Sequence, residues 1–201
     1  MDPALAKDIF DTLYGDVRGY ELSFSARKKM DYFDRGLTYG EIIPKEFSRM
    51  LKEVDPQKGE VFYDLGSGTG KAVIAAALLF PFSKVVGIEL LDDLYDASIR
   101  VTERLKREVS TQEIPLPEVK FIQSDFLNSD FSDADIVFAH ATCFHEAQFR
   151  ELLPKFEGLK KGARLLLVSK PIALESFEYI QSSEHPFSWG RATLHSYKKI
   201  V

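Results

Sequence analysis

The chain has 201 residues, with 26 Lys and Arg against 31 Asp and Glu, and a formal net charge of −5 at pH 7. This length indicates one domain of about 100–200 residues with a small N-terminal extension, and the acidic balance argues against strong direct binding to nucleic acid. Cys143 is the only cysteine, which excludes an internal disulfide framework. Since no apolar run approaches about 20 residues and no signal-peptide pattern is present, we expect no membrane attachment and a cytoplasmic or nuclear, not secreted, protein.

Residues 1–58 predict short amphipathic helices joined by turns. Apolar residues recur at helical spacing in two stretches, namely Leu5, Ile9, Phe10 and Leu13, and then Phe47, Met50, Leu51 and Val54. Glycines at 15, 19, 36 and 40 indicate the turns. We therefore expect an N-terminal helical extension over 1–58 and a second unit over 59–201.

From residue 59 onward, predicted strands alternate with predicted helices. Strands are expected at 61–63, 84–88, 119–122, 135–138, 164–169 and 191–200, and helices at 71–80, 91–105, 149–156 and 174–180. This alternation indicates βαβ units and an α/β fold with a mostly parallel sheet and helices on both faces. Ligands bind such sheets beyond the carboxyl ends of the strands, so the residues that follow each strand are candidates for a site.

A glycine-rich loop follows the first predicted strand, with Gly66, Gly68 and Gly70 at alternating positions. Glycines there let the backbone approach a ligand, and the helix N-terminus offers free N–H groups. A dinucleotide loop would read G-x-G-x-x-G, and a phosphate loop would end in G-K-[ST], whereas Lys71 precedes Ala72. The loop favours a ligand that needs no phosphate clamp, with an ordinary strand-to-helix turn as the alternative.

Acidic residues follow three successive predicted strands. Glu89 ends the second strand, about 20 residues beyond the glycines, where an acidic side chain accepts hydrogen bonds from ribose hydroxyls. Asp125 can accept from an adenine amino group, with Phe126 against the face of the ring. Together with Asp64, these acids suit a cationic nucleoside, because a phosphate site would need positive charge. The pattern predicts S-adenosylmethionine as the cofactor.

The same residues carry a family resemblance. Residues 62–71, which read FYDLGSGTGK, resemble motif I of class I methyltransferases. More narrowly, the chain resembles the non-SET histone-lysine methyltransferases of the disruptor-of-telomeric-silencing family, through YGEI at 39–42, GIE at 87–89, SDFL at 124–127, LKKGAR at 159–164, SKP at 169–171 and SW at 188–189. The expected fold is therefore a Rossmann-like, seven-stranded, mostly parallel sheet whose last strand is antiparallel, with an N-terminal helical lid.

The resemblance also implies the cofactor-binding residues. A loop closing over the methionine moiety would contain Tyr39, Gly40, Glu41 and Ile42, and the cofactor would be flanked by Asp64, Gly66, Gly68, Gly70 and Lys71. Glu89 would hold the ribose, and Asp125 with Phe126 would hold the adenine. For Tyr39 and Glu41, a helix cap and turn is the alternative.

The acceptor side departs from the family pattern. Where the family carries two asparagines after the fourth strand, this chain has His140 and Ala141. His140 is a candidate base or hydrogen-bonding partner for the methyl acceptor, with packing alone as its alternative, and Tyr39 is the second catalytic candidate. No metal is predicted, because the spacing of His140, Cys143 and His145 fits no closed zinc pattern.

Three functional hypotheses follow from these residues. The first is an S-adenosylmethionine-dependent methyltransferase that acts by direct displacement on a protein lysine, as the resemblance implies. The second is a small-molecule methyltransferase that uses His140 near the acceptor, and the third is a non-catalytic nucleoside-binding module. A nucleosome partner is implied by the resemblance alone, since the acidic chain lacks the basic surplus that docking on a nucleosome would need.

Overall fold

The computed structural model describes residues 1–30, 35–111 and 114–201. Within these ranges the helices are α1 (Pro3–Tyr14), α2 (Gly19–Lys28), α3 (Pro44–Lys52), α4 (Lys71–Leu79), α5 (Asp92–Ser110) and α6 (Glu146–Glu157). The strands are β1 (Val61–Leu65), β2 (Lys84–Glu89), β3 (Glu118–Gln123), β4 (Ile136–Ala139), β5 (Arg164–Val168), β6 (Phe177–Phe187) and β7 (Gly190–Lys199). Short 3-10 turns cover Arg35–Leu37, Phe126–Asn128 and Ala141–Cys143.

The strands form one sheet in the order β3-β2-β1-β4-β5-β7-β6. The pairs among β3, β2, β1, β4 and β5 are parallel, whereas β7 runs antiparallel to both β5 and β6. The predicted α/β, Rossmann-like, seven-stranded sheet with an antiparallel last strand is confirmed. The strand order reverses between the neighbours β1 and β4, which places a crevice at their carboxyl ends.

Helices cover the two faces of the sheet with separate buried clusters. One cluster joins α1, α3, α4 and α5 to residues such as Phe62 and Phe138, and the other joins α6 to residues such as Leu65 and Leu167. Because the central strands are buried on both faces, they read as continuous apolar runs. No helix within the described ranges combines the length and apolar character needed to cross a membrane.

The N-terminal helices pack against the sheet through their predicted apolar faces. Helix α1 begins at Pro3, where the carboxylate of Asp2 caps it by accepting from the backbone N–H groups of Ala4 and Leu5. Its residues Ile9, Phe10 and Leu13 are buried. The residues predicted for the second stretch are buried as well, namely Phe47, Met50, Leu51 and Val54.

The helix predicted over residues 174–180 is wrong, because this segment enters the long edge strand β6. β6 pairs along its length with β7, with an irregularity in register between Tyr179 and Gln181. Most of its side chains near the start are exposed, so the segment carries no buried apolar face whose spacing could distinguish strand from helix. The pairing is decided by the partner strand.

Candidate functional site

A cleft opens at the carboxyl ends of β1, β2 and β4. Together with the open solvent at its mouth, the cleft holds about 650 Å³ of empty space. Seven of the predicted site residues line it, namely Tyr39, Gly40, Gly66, Glu89, Asp125, Phe126 and His140. Neither Lys nor Arg is among the lining side chains that the structure describes, so the wall offers carboxylates rather than a phosphate clamp.

The glycine loop reaches the cleft with its first glycine, Gly66. Gly66, Gly68 and Gly70 all have positive φ angles, between 56° and 84°. A Cβ on Gly68 would lie 2.4 Å from the ring of Tyr39, so this glycine lets the tyrosine close on the loop. A Cβ on Gly70 would instead lie 2.5 Å from the ring of Phe121. Gly70 therefore serves packing against β3 and does not face the cleft.

Glu89 is held at the end of β2 by the backbone. Its carboxylate is buried and accepts from the N–H of Gly68 at 2.7 Å and from the N–H of Leu91 at 2.8 Å. Burial raises its pKa, against these hydrogen bonds, which lower it. Each oxygen uses one lone pair on the backbone, so each keeps capacity to accept from a ligand hydroxyl.

Asp64 is a buried carboxyl without a partner. The residue is 3% exposed, its carboxyl has no hydrogen bond or ion pair with a described residue, and it lies two residues before Gly66, which lines the cleft. Burial, and then the nearby charge of Glu89, raise its pKa to about 8. An unpaired buried carboxyl is costly unless it is neutral or meets a cation. The surroundings of Asp64 therefore suit a cationic ligand group.

The Tyr39 loop is fastened to the start of α4 by polar contacts. The Tyr39 hydroxyl donates to Glu41 Oε1 at 3.0 Å and lies 2.9 Å from Thr69 Oγ1. Glu41 Oε2 pairs with Lys71 Nζ at 2.6 Å, and both side chains are mostly buried. Burial raises the pKa of Tyr39, so its hydroxyl stays protonated. Glu41 and Lys71 hold the loop rather than line the cleft, and Ile42 is buried in the core.

The turn between β6 and β7 packs against the Tyr39 loop. The Ser188 N–H donates to the Glu41 carbonyl at 3.1 Å, and the Ser188 hydroxyl accepts from the Glu41 N–H at 3.2 Å. The hydroxyl of Tyr20 on α2 lies 2.7 Å from the same serine oxygen. A Cβ on Gly40 would meet the Trp189 indole at 2.7 Å. Three distant segments thus meet over one side of the cleft.

His140 follows β4 and is enclosed by aromatic rings. Its Nε2 accepts from the Trp189 indole N–H at 3.2 Å. The rings of Phe187 and Trp189 lie edge-on to it, at centroid distances of 5.1 and 5.3 Å. Burial lowers the pKa of His140 to about 4, so the imidazole is neutral at physiological pH. It can serve as a base only if the lone pair on Nε2 is released from Trp189.

Asp125 and Phe126 form the third side of the cleft. Asp125 Oδ1 accepts from the Leu127 N–H at 2.9 Å and so caps the turn that carries Phe126. The ring of Phe126 lies 5.0 Å from that of Phe144, measured between centroids. Sequence reasoning did not select Gln148, whose side chain also lines this part of the cleft. Its position in the first turn of α6 carries no motif that could have marked it.

Comparison with known proteins defines the class. An RNA methyltransferase from Salinibacter ruber, crystallised in complex with S-adenosyl-L-homocysteine, is 26% identical, with a TM-score of 0.57 over 77% of this chain and 90% of that chain. The fold and the cleft are those of class I S-adenosylmethionine-dependent methyltransferases. A family model described as histone methylation protein DOT1 matches residues 25–197, and the chain belongs to that family. The resemblance found in the sequence is confirmed.

Curated relatives match over shorter stretches. A histone-lysine N-methyltransferase, H3 lysine-79 specific, from Kluyveromyces lactis is 32% identical over 93 residues, which are 46% of this chain and 16% of that protein. A protein of the same name from Aspergillus fumigatus is 50% identical over 40 residues, which are 20% of this chain and 8% of that protein. The chain thus matches only a small part of the length of these relatives.

Proposed function

We propose that this chain binds S-adenosylmethionine in the cleft and transfers its methyl group by direct displacement to a lysine side chain of a protein. The observation that carries the proposal is the unpaired, buried carboxyl of Asp64 beside a cleft lined by Glu89 and Asp125. The acceptor class is inferred from the names of the curated relatives, which are specific for a histone lysine. A histone acceptor would place the protein in the nucleus.

The residues fit this cofactor by their chemistry. When bound, S-adenosylmethionine supplies a methyl group activated by a sulfonium. The carboxyl of Asp64 would ionise and pair with the ligand's ammonium group, which removes the cost of an unpartnered buried acid. Glu89 would accept from the ribose hydroxyls through the lone pairs that the backbone leaves free. Asp125 would accept from the adenine amine, with Phe126 against the ring.

The first 58 residues would supply the lid of the site, and residues 59–201 the methyltransferase domain. Tyr39 and Gly40 line the cleft directly. Glu41, Lys71 and Ile42 would act through position, since the ion pair and the buried isoleucine fix the loop in place. Gly66 would give the ligand access to the backbone, Gly68 would let Tyr39 close on the loop, and Gly70 would keep α4 against β3.

On the acceptor side, the chain's task is to orient an amine and to exclude water. A lysine amine must lose its proton from a pKa near 10.4, a cost of roughly 4 kcal/mol at neutral pH. Because His140 is neutral, it would not repel a charged amine that enters the site. Tyr39, which stays protonated, would act as a hydrogen-bond donor and not as a base. Alignment of nucleophile, methyl group and sulfur supplies most of the rate.

Incubation with radiolabelled S-adenosylmethionine tests the proposal, with histone octamers, nucleosomes and a cell extract as acceptor sources. We expect label in a protein, at lysine, and none with the Asp64→Ala variant, whose fold is checked by circular dichroism. Label in a small-molecule fraction alone would overturn the protein acceptor and favour the second hypothesis. Cofactor binding with no transfer to any acceptor would favour a non-catalytic module, and absence of binding would overturn the proposal as a whole.

A further inference from the structure

Tyr14, the last residue of α1, reaches the glycine loop from the side of the N-terminal helices. Its side chain is buried, and its hydroxyl donates to the backbone carbonyl of Thr69 at 3.1 Å. Thr69 is fully buried, so its carbonyl needs a donor from within the protein. Burial raises the pKa of Tyr14 well above its usual value, so the hydroxyl stays protonated and available as that donor.

The ring of Tyr14 makes a second contact, with the first residue of α4. The Nζ atom of Lys71 lies 5.3 Å from the centroid of the Tyr14 ring, within the range of a cation–π interaction. The same Nζ atom pairs with Glu41 Oε2 at 2.6 Å. The Lys71 cation therefore contacts both the N-terminal helix and the Tyr39 loop.

Thr69 joins Tyr14 to the Tyr39 loop through its other polar atom. The Thr69 hydroxyl lies 2.9 Å from the Tyr39 hydroxyl, which donates to Glu41 Oε1 at 3.0 Å. The contacts thus form a closed ring in the order Tyr14, Thr69, Tyr39, Glu41, Lys71 and back to Tyr14. Because each member is held from two directions, removal of one member loosens both of its neighbours.

Both segments that this ring of contacts holds lie at the cofactor cleft. The side chain of Tyr39 lines the cleft. Thr69 directly follows Gly68, whose N–H donates to Glu89 Oε2 at 2.7 Å, and Glu89 is the residue that would hold the ribose. A shift of the Thr69 peptide group would therefore disturb the cleft from two sides.

We propose that Tyr14 is a positioning residue of the cofactor site, which acts through Thr69 and Lys71 and does not line the cleft itself. The first helix is then part of the cofactor site as well as a cover for the sheet. The family model matches from residue 25 onward, so Tyr14 lies outside that match. The inference rests on the proposed function, since it takes S-adenosylmethionine as the ligand.

Calorimetry with S-adenosylhomocysteine tests this role in two variants of the intact chain. Tyr14→Phe keeps the ring beside Lys71 and removes the donor to Thr69. We expect affinity to fall about fivefold, which corresponds to one hydrogen bond, because the ligand must then order the loop as it binds. Tyr14→Leu removes the ring contact as well and should lower affinity about tenfold or more. In the ligand-free Tyr14→Phe chain, hydrogen exchange at the Gly68 amide should quicken by about fivefold.

Ile9→Val is the matched control, since Ile9 is buried on the same helix and has no polar atom. It should lower the melting temperature about as much as Tyr14→Phe and change affinity and Gly68 exchange less than about twofold. Equal affinity losses in the two variants, unchanged affinity with Tyr14→Phe, or an affinity loss without faster Gly68 exchange would each overturn the role of Tyr14. If the unaltered chain fails to bind S-adenosylhomocysteine, the proposed function fails as well. If it binds and the Tyr14 variants bind equally well, only the present inference fails.

Discussion

Cofactor affinity should depend on the protonation of Asp64. Burial and the charge of Glu89 raise the pKa of this carboxyl to about 8, so it is mostly protonated at neutral pH. A ligand ammonium favours the ionised form, and binding below that pH must therefore release a proton. Linkage predicts that affinity rises about tenfold per pH unit between about pH 6 and pH 7.5 and levels off near pH 8.

The same shift sets the stability of the unliganded protein. A carboxyl whose folded pKa lies above its unfolded pKa favours folding below the unfolded value, and that contribution is lost as pH rises through the folded value. A change from 3.8 to about 8 corresponds to a free energy on the order of 5 kcal/mol. The melting temperature without ligand should therefore fall from about pH 5 to pH 8, and ligand should stabilise the protein most at the upper end.

Asp64→Asn is the matched variant, since it keeps shape and removes the titration. Calorimetry with S-adenosylhomocysteine in two buffers of different ionisation enthalpy gives the number of protons released. We expect close to one for the unaltered chain near pH 6 and close to none for the variant, which should also bind more weakly. A flat affinity in the unaltered chain would refute the argument. So would an equal slope in the variant, because it would assign the titration to a group other than Asp64.

Three further outcomes are expected. Lys71→Met should leave the mostly buried Glu41 carboxylate without its ion-pair partner and lower the free energy of unfolding by about 1–3 kcal/mol. In thermal melts, the double change with Glu41→Gln should cost less than the sum of the two single changes. Gly68→Ala places a Cβ 2.4 Å from a tyrosine ring and should weaken ligand binding at least tenfold, whereas Gly162→Ala, with positive φ and open space, should cost only about 1 kcal/mol of stability. His140→Ala should lower turnover at least tenfold and change cofactor affinity less than about twofold; equal turnover would leave His140 a packing role.

Local patterns made the cofactor side of the cleft predictable. Gly66 and Gly68 have positive φ angles at a strand-to-helix turn. Because only glycine adopts such angles readily, the glycine spacing in the sequence predicts the turn. Glu89 is fixed by its place at the end of a strand, where the sheet topology delivers it to the crevice. These features depend on the nearest twenty or so residues, which is the range that sequence reasoning covers.

The other side depends on contacts that no local pattern encodes. The helix predicted over residues 174–180 fails because the end of this segment joins the edge strand β6, where only the partner β7 selects the extended form. Gln148 can be assigned to the cleft only from the folded chain, because no motif marks its position in α6. That Asp64 lacks a partner is likewise a property of the assembled interior. The surroundings of His140 on the acceptor side also depend on such distant contacts, since Phe187 and Trp189 pack against its ring.

The bond between Ser188 and Glu41 also constrains when the site can form. It joins residues 147 positions apart, and the bond from Tyr20 to the same serine spans 168. Contacts of such large sequence separation carry a high cost of loop closure and form late in folding. During synthesis the turn at Ser188 emerges well after the Tyr39 loop, so the loop lacks this fastening until the chain has been extended past residue 188. We therefore expect ligand binding only after these distant segments have folded together.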